Sequence, residues 1–532
     1  MQAQNPDEPD PFGDDPSPLT ETTQIFNVPR GTAYITAQQL VIYASSFVYY
    51  VVLVRILNLS QIGEISLLAA AAAVFATLTQ LALPLAATRF ISASIGEGDP
   101  STAGAVARTS LRLTITIAAP ALVLSLLASP WIAQTVFKNA DATGFLAVAF
   151  ASSFLLDLVT LYGAYFLGLG RYAELAYQNI LYTPLSRGLG LVLAYKGLGP
   201  LGIPTGWATG AFVTLLLSLY LWKGKLPHAN NFPTRPLLIF SLPLLATAIV
   251  TLLQSWGDIA LLQAILGQFG TTGAYYLVVT SVSFLSILWI PAAGAIYPAL
   301  SSSYTVGGPT AVSEKLAIAT RFVNLTVLPA GAALAAIAPT ALEAVYGPSL
   351  VSGAIPFAIL AATIIFSAQS LLLITTLQAI GKTKSILGIS LAATIVDLVA
   401  VGLGAATLGT TAGAVGRSLL AATMTLLAWL SLRHVLRAPV TKGLSKAIVV
   451  SILSAAPLIL FDNLLTVNSH QPPIVRIQVL LGIFAICYLG ASRALNVFTE
   501  NDFDLFENAL PVFLRPLLKA LERVLIQPSA PI

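Results

Sequence analysis

Four ionisable side chains stand in the middle of long apolar runs: Asp157, Arg187, Asp258 and Asp397. An unpaired charge at the centre of a bilayer costs about 2.5–3.5 kcal/mol, so each must pair, face water or carry something. Asp157 (SFLLDLVT) and Arg187 (TPLSRGLG) fall at similar depth on either side of the turn at Gly170-Arg171, within reach of an ion pair. Asp258 (QSWGDIAL) has no obvious local partner, which points to a water-lined cavity or a cation. Arg417 begins near the end of its run and can snorkel to the interface. A second set, Arg30, Arg89, Arg112 and Arg321, stands where apolar runs begin or end. Guanidinium forks bind phosphate in a planar manner and stay charged. The bland readings are a structural ion pair for the first set and ordinary loop topology for the second.

Other chemistry is absent. There is no GxxxxGK[ST] phosphate loop, no HExxH, no Ser/His/Asp arrangement and no loop with paired carboxylates for a metal and a donor sugar. Three histidines and one cysteine, Cys487, exclude an internal disulfide and argue against a metal cluster. The net charge of +4 comes from loops and does not indicate nucleic acid. Neither an enzyme nor a cofactor is expected.

The elements that position these charges follow from composition. Of 532 residues, 56% are hydrophobic and 9% charged, against roughly 25% charged in a soluble domain. An all-α polytopic membrane protein is therefore expected. Apolar windows long enough to span a bilayer number fourteen, between residues 32 and 497. Counting loops alternately puts about fifteen Lys and Arg on one side and about four on the other, the asymmetry of a protein with both termini cytoplasmic. Residues 1–24, rich in Pro, Asp and Glu, read as a disordered tail and not a signal sequence.

The chain is also written twice. Arg112, Pro120, Pro130, Phe137 and Gly144 recur as Arg321, Pro329, Pro339, Tyr346 and Gly353, at an offset of about 209. Pro84 matches Pro291, Gly170-Arg171 matches Gly381-Lys382, and Gly199 and Gly206 match Gly409 and Gly416. Six spans per copy is an even number, so the copies share one orientation and a pseudo-two-fold axis along the membrane normal is expected. Asp397 then stands within one residue of the match to Arg187, and Asp258 falls opposite Tyr49. The expected organisation is a tail (1–24), an N-lobe (25–225), a C-lobe (226–437), two extra spans (438–498) and a cytoplasmic amphipathic segment (499–532). In that last segment Phe506, Leu510, Phe513, Leu517, Leu521 and Val524 form one stripe suited to membrane lipid. The alternative is a terminal helix packed on the protein. Prolines 84, 120, 184, 243, 291, 329 and 356 are expected inside spans, where they free carbonyls and ease bending.

Several short stretches carry a family likeness: Val54-Arg55-Ile56-Leu57 with Gly63, Trp256 and Asp258 with Gly273-Ala274-Tyr275, Tyr346-Gly347, and Ile380-Gly381-Lys382-Thr383-Lys384. In order and spacing these resemble the Wzx-type polysaccharide and oligosaccharide flippases of the multidrug/oligosaccharidyl-lipid/polysaccharide exporter superfamily, over nearly the whole chain. The resemblance implies two six-helix lobes around a central cavity and alternating access. It also implies a sugar or oligosaccharide on a polyprenyl phosphate or pyrophosphate, carried from the cytoplasmic to the outer leaflet of a cell membrane. Arg30, Arg89, Asp157, Arg187, Asp258 and Asp397 are the candidate cavity residues, with Asp258 the candidate for coupling to H+ or Na+; glycan assembly enzymes are candidate partners. The interior is poorer in arginine than that of the peptidoglycan-precursor flippases, which disfavours lipid II. A multidrug-type antiporter is the nearest alternative, weakened by Tyr49 where an acidic residue would stand in span one. A non-transporting scaffold of a glycan assembly complex is the alternative from another class.

Overall fold

In hydrocarbon every backbone N–H and C=O must be satisfied within the chain, which leaves a sequence of this composition only helices. A computed structural model describes residues 28–223, 226–227, 232–433, 444–468, 471–499, 502–503 and 515–525. Side chains are described at all of these except 28–32, 291, 292, 295, 305, 466–468, 517, 518, 520 and 524. The acidic tail, and Phe506, Leu510 and Phe513 of the C-terminal stripe, lie outside the described residues.

Every regular element among them is helical. The first part of the chain forms α1 (Val28–Ile56), α2 (Leu59–Gln80), α3 (Leu83–Gly96), α4 (Pro100–Ile132), α5 (Ala142–Gly168), α6 (Tyr172–Leu193) and α7 (Gly202–Trp222). The second part forms α8 (Thr234–Leu266), α9 (Phe269–Ser283), α10 (Ile290–Ala336), α11 (Ala338–Tyr346), α12 (Ala354–Ala379), α13 (Thr383–Leu408) and α14 (Thr410–Leu432). It ends in α15 (Leu444–Asn468), α16 (Pro473–Ala494) and α17 (Arg515–Leu525). Among the described residues thirteen segments are long and apolar enough to cross a membrane, and one of them, Tyr172–Trp222, holds both α6 and α7. Its break is at Gly197, where φ is 109°. Divided there, the segments number fourteen, as composition led us to expect. The protein is an all-α polytopic membrane protein.

The internal repeat is visible in the backbone. Gly199 and Gly409 adopt φ 53°, ψ −136° and φ 57°, ψ −133°, a region that only glycine enters without strain. The helices before Gly170 and Gly381 end in the same Schellman motif. Gly170 N donates to Leu167 O and Arg171 N to Phe166 O; Gly381 N donates to Gln378 O and Lys382 N to Leu377 O.

Pro120, Pro184, Pro243 and Pro329 lie inside helices as expected. The repeat pair Pro84 and Pro291 does not: each opens a helix after a break, and so spans two and eight are not continuous. At the first helical turn the missing N–H would have had no partner anyway, so proline favours a start there over a kink. At the α2–α3 break, Leu81 (φ 47°) and Ala82 (φ 56°) both hold left-handed backbone, at a cost of about 1–3 kcal/mol each.

The chain divides into two compact units, residues 1–49 with 71–248, and residues 50–70 with 249–532. In the first, the core gathers Leu83, Ile91, Val106, Leu161, Tyr165 and Phe166, with Trp222 packed against it. In the second, α10 packs on α12 through Gly331, where a Cβ would collide with the carbonyl oxygen of Ala361. There too Gly63 and Gly273, both marked in the sequence, meet: a Cβ on Gly273 would stand 2.7 Å from the nitrogen of Gly63. Asp502, Phe503 and the described residues 515–525 belong to this unit. Asp502 pairs with Arg321 and accepts from the N–H and hydroxyl of Thr499 at 2.7 and 2.8 Å. Phe503 and Leu525 are buried together, with Leu521, Leu489 and Phe498 packed against them. The described part of α17 is thus docked on protein, which favours the packed-helix alternative over a free interfacial segment.

Candidate functional site

The second unit builds a charged cluster from four helices. Glycines bring α14 in: a Cβ on Gly413 would lie 2.6 Å from the Tyr275 ring, and one on Gly416 would strike the Asp397 carboxylate. This approach delivers Arg417 to α8. Its Nε and Nη2 donate to Oδ2 and Oδ1 of Asp258 at 2.5 and 2.9 Å, a fork-on-fork pair. Nη2 also donates to the carbonyl of Ser255, one turn back on α8, at 2.8 Å. From α9 the hydroxyl of Tyr275 donates to Oδ2 of Asp258 at 2.6 Å.

Asp258 is fully buried, whereas the Arg417 side chain keeps 21% of its surface exposed. Asp258 has no partner close by in the sequence; its cation in the structure is Arg417, 159 residues away. Asp397, on α13, is also fully buried. It lies within electrostatic reach of Asp258 and Arg417, yet neither of its oxygens has a hydrogen-bond partner among the described residues.

Beside this cluster opens a cleft of about 360 Å3, wholly within the second unit. Its polar lining comes from Gln254, Ser283, Ser286, Thr363, Ser367 and Ser418, with Arg417 the charged member. Val279, Val282, Trp289, Leu360 and Ile364 supply the apolar part. Nearby in the same unit, Trp256 stacks on Tyr276 at 6.0 Å, and the hydroxyls of Tyr276 and Tyr50 are 2.8 Å apart.

The first unit treats its charges differently. Asp157 accepts from the hydroxyl of Thr79 at 2.6 Å and the amide of Gln80 at 2.8 Å, the last residues before the strained α2–α3 break. Arg187 donates to Ser46 and lies 5.6 Å from the centre of the Tyr49 ring, within range of a cation–π contact. Asp157 and Arg187 thus have separate partners and do not form the ion pair that their depth allowed. The repeat relation gains a meaning here. Tyr49 and Arg187 are neighbours in the first unit, and their counterparts Asp258 and Asp397 are electrostatic neighbours in the second. An aromatic–cation contact in one copy is a pair of carboxylates in the other.

Arg89 is exposed, with its guanidinium 4.3 Å from the centre of the Phe240 ring and 5.7 Å from that of Phe90. The side chain of Arg30 lies outside those described. Arg321 is engaged by Asp502 and the carbonyl of Val497. Sequence reasoning missed Arg417 as a site residue, treating it as interfacial. The available signal was its position directly after Gly416, in a Gly-x-x-Gly face that must lie against another helix.

The fold is shared with solved membrane transporters. The inward-closed lipid II flippase MurJ superposes with a TM-score of 0.66 at 12% identity, over 86% of this chain and 98% of that one. An inward-facing multidrug resistance MATE family transporter of the MOP superfamily gives 0.62 at 17% identity, over 74% and 93%. A MOP superfamily transporter from Pyrococcus furiosus, whose binding pocket is described as reversed in polarity, gives 0.54 at 14%, over 78% and 94%. No curated protein sequence matches significantly. The profile of one family, described as polysaccharide biosynthesis protein, matches residues 28–304, just over half of the 532. The chain belongs to the polysaccharide biosynthesis protein family.

Proposed function

We propose that the protein is a flippase for a sugar or oligosaccharide linked to a polyprenyl phosphate or pyrophosphate, moving it from the cytoplasmic to the outer leaflet of a cell membrane by alternating access. The observation that carries this reading is the hydroxyl-lined cleft beside Arg417, set among membrane-spanning helices of a polysaccharide-biosynthesis chain. A glycan cannot cross hydrocarbon because its hydroxyls would lose their hydrogen bonds to water. Helices that present hydroxyls, an amide and a guanidinium replace those bonds within the bilayer, while a lipid tail stays in the hydrocarbon outside.

Coupling to H+ or Na+ runs through the Asp258–Arg417–Asp397 cluster. Arg417 occupies the cation position at Asp258, so Asp397, with both oxygens unpartnered, is the group able to take up and release an ion. Arg89, Asp157 and Arg187 serve the cavity of the first half, and Arg30 its cytoplasmic mouth. Both termini lie in the cytoplasm, where enzymes assembling the glycan meet the protein.

The test is the leaflet distribution of lipid-linked oligosaccharide in cells lacking the protein. Accumulation on the cytoplasmic leaflet, rescued by the wild type and not by Asp397→Asn or Arg417→Ala, is the expected result. A normal distribution refutes the flippase. The likeness of fold to MATE transporters favours one second reading, a cation-coupled drug antiporter, which predicts resistance to cationic compounds and no glycan defect.

A further inference from the structure

We infer that the cleft of the second unit is a subsite for one uncharged sugar residue of the transported glycan, and that the phosphate group is held elsewhere. The inference rests on the flippase reading and adds to it the chemistry of one subsite.

Charge decides against phosphate. Arg417 is the charged residue of the lining, and its charge is already met by Asp258 through bonds of 2.5 and 2.9 Å. Asp397 lies within electrostatic reach of the same guanidinium and adds a second carboxyl group. A phosphate entering the cleft would find no net positive charge, although it would have to shed its hydration shell.

The orientation of the hydroxyls points the same way. Ser283 donates its proton to the carbonyl of Val279 at 2.8 Å. Thr363 and Ser418 are 2.7 Å apart, and each also lies within bonding distance of a carbonyl of its own helix, at 2.7 and 2.8 Å. Two protons serve these contacts, so both are used within the protein. Each oxygen is left with lone-pair capacity towards the cleft. One of the two amide protons of Gln254 goes to the carbonyl of Ser390, at 3.2 Å, leaving its oxygen as an acceptor and its second N–H as a donor.

The lining therefore offers the acceptor oxygens together with donors: the second N–H of Gln254, the hydroxyl of Ser367 and the guanidinium N–H groups that Asp258 and Ser255 do not use. Phosphate oxygens only accept, whereas sugar hydroxyls both donate and accept and so match both parts of the lining. Trp289, Val279, Val282, Leu360 and Ile364 give the cleft an apolar side for the C–H groups of a pyranose. At about 360 Å3 the cleft stands at the small end of ligand pockets (roughly 300–1,000 Å3), room for a single sugar ring.

The experiment is saturation-transfer NMR on the full chain in lipid nanodiscs, with methyl glucoside, methyl galactoside and methyl mannoside as probes and methyl phosphate as competitor. Expected is transfer to at least one hexoside, undisturbed by a tenfold excess of methyl phosphate. It should fall at least threefold in Thr363→Val and in Ser367→Trp, the first nearly isosteric and the second filling the cleft. Displacement by methyl phosphate, transfer to no hexoside, or undiminished transfer in both variants overturns the subsite. Leaflet accumulation in cells reads the flippase separately. A leaflet defect together with displacement by methyl phosphate would refute the subsite and leave the flippase standing.

Discussion

Replacing Arg417 by Gln removes the guanidinium that meets the fully buried Asp258. Tyr275 still donates to Oδ2 at 2.6 Å, but the bonds of 2.5 and 2.9 Å from Arg417 are lost, as is the bond to the Ser255 carbonyl. Breaking a buried pair by removing one partner costs about 3–5 kcal/mol. The partial exposure of Arg417 puts this case at the low end, about 3 kcal/mol. With an unfolding entropy of about 2.1 cal/mol/K per residue, a chain of 532 residues loses about 3 °C in Tm. Scanning fluorimetry on the six tryptophans measures this in detergent or nanodiscs. Asp258→Asn should cost less, because the freed guanidinium can turn to the cleft or to Asp397. The double variant Asp258→Asn/Arg417→Gln should recover at least half of the loss, since no unpaired charge remains at Asp258. A Tm for Arg417→Gln within 1 °C of the wild type, or no recovery in the double variant, refutes the argument that this pair holds the site together.

Two further outcomes follow from single contacts. Asp157→Ala leaves Thr79 and Gln80 without their shared acceptor beside two left-handed residues; faster hydrogen exchange around residues 79–82 is expected, with a stability loss of about 1–3 kcal/mol, whereas Asp157→Asn keeps an acceptor and loses less. For Asp502 burial acts to raise the carboxyl pKa, but hydrogen bonds from Arg321 and Thr499 outweigh it and hold the group below its ordinary 3.8. The folded value is thus the lower one, so the docking of the C-terminal segment is fully supported above pH 4 and weakens as pH falls through the folded value. Limited proteolysis near residue 502 should be slow at pH 7 and faster at pH 3, and fast at both in Arg321→Ala; equal rates at pH 7 in wild type and variant would remove the pair from any role in docking.

The charges show how legibility depends on sequence distance. Helix ends at Gly170 and Gly381 were readable because a left-handed C-terminal glycine is a local requirement, with the closing bonds made to carbonyls three and five residues back. Pro84 and Pro291 were placed correctly as a pair but read as kinks, since proline marks both a bend and a start and only the surrounding backbone separates them. Asp157 found its partners 77 and 78 residues away and Asp258 found Arg417 at a separation of 159, beyond any spacing rule.

What the sequence alone determined is therefore the class of protein, the fourteen crossing segments and the duplicated plan. Hydrocarbon forces apolar runs into helices, and a repeat of turn glycines and prolines survives in the order of the residues. What only the tertiary structure decided is which charges meet. The approach of α14 through Gly413 and Gly416 pairs Arg417 with Asp258, leaves Asp397 unpartnered and shapes the cleft beside them, because helix-to-helix distance is set by small side chains in contact across the fold.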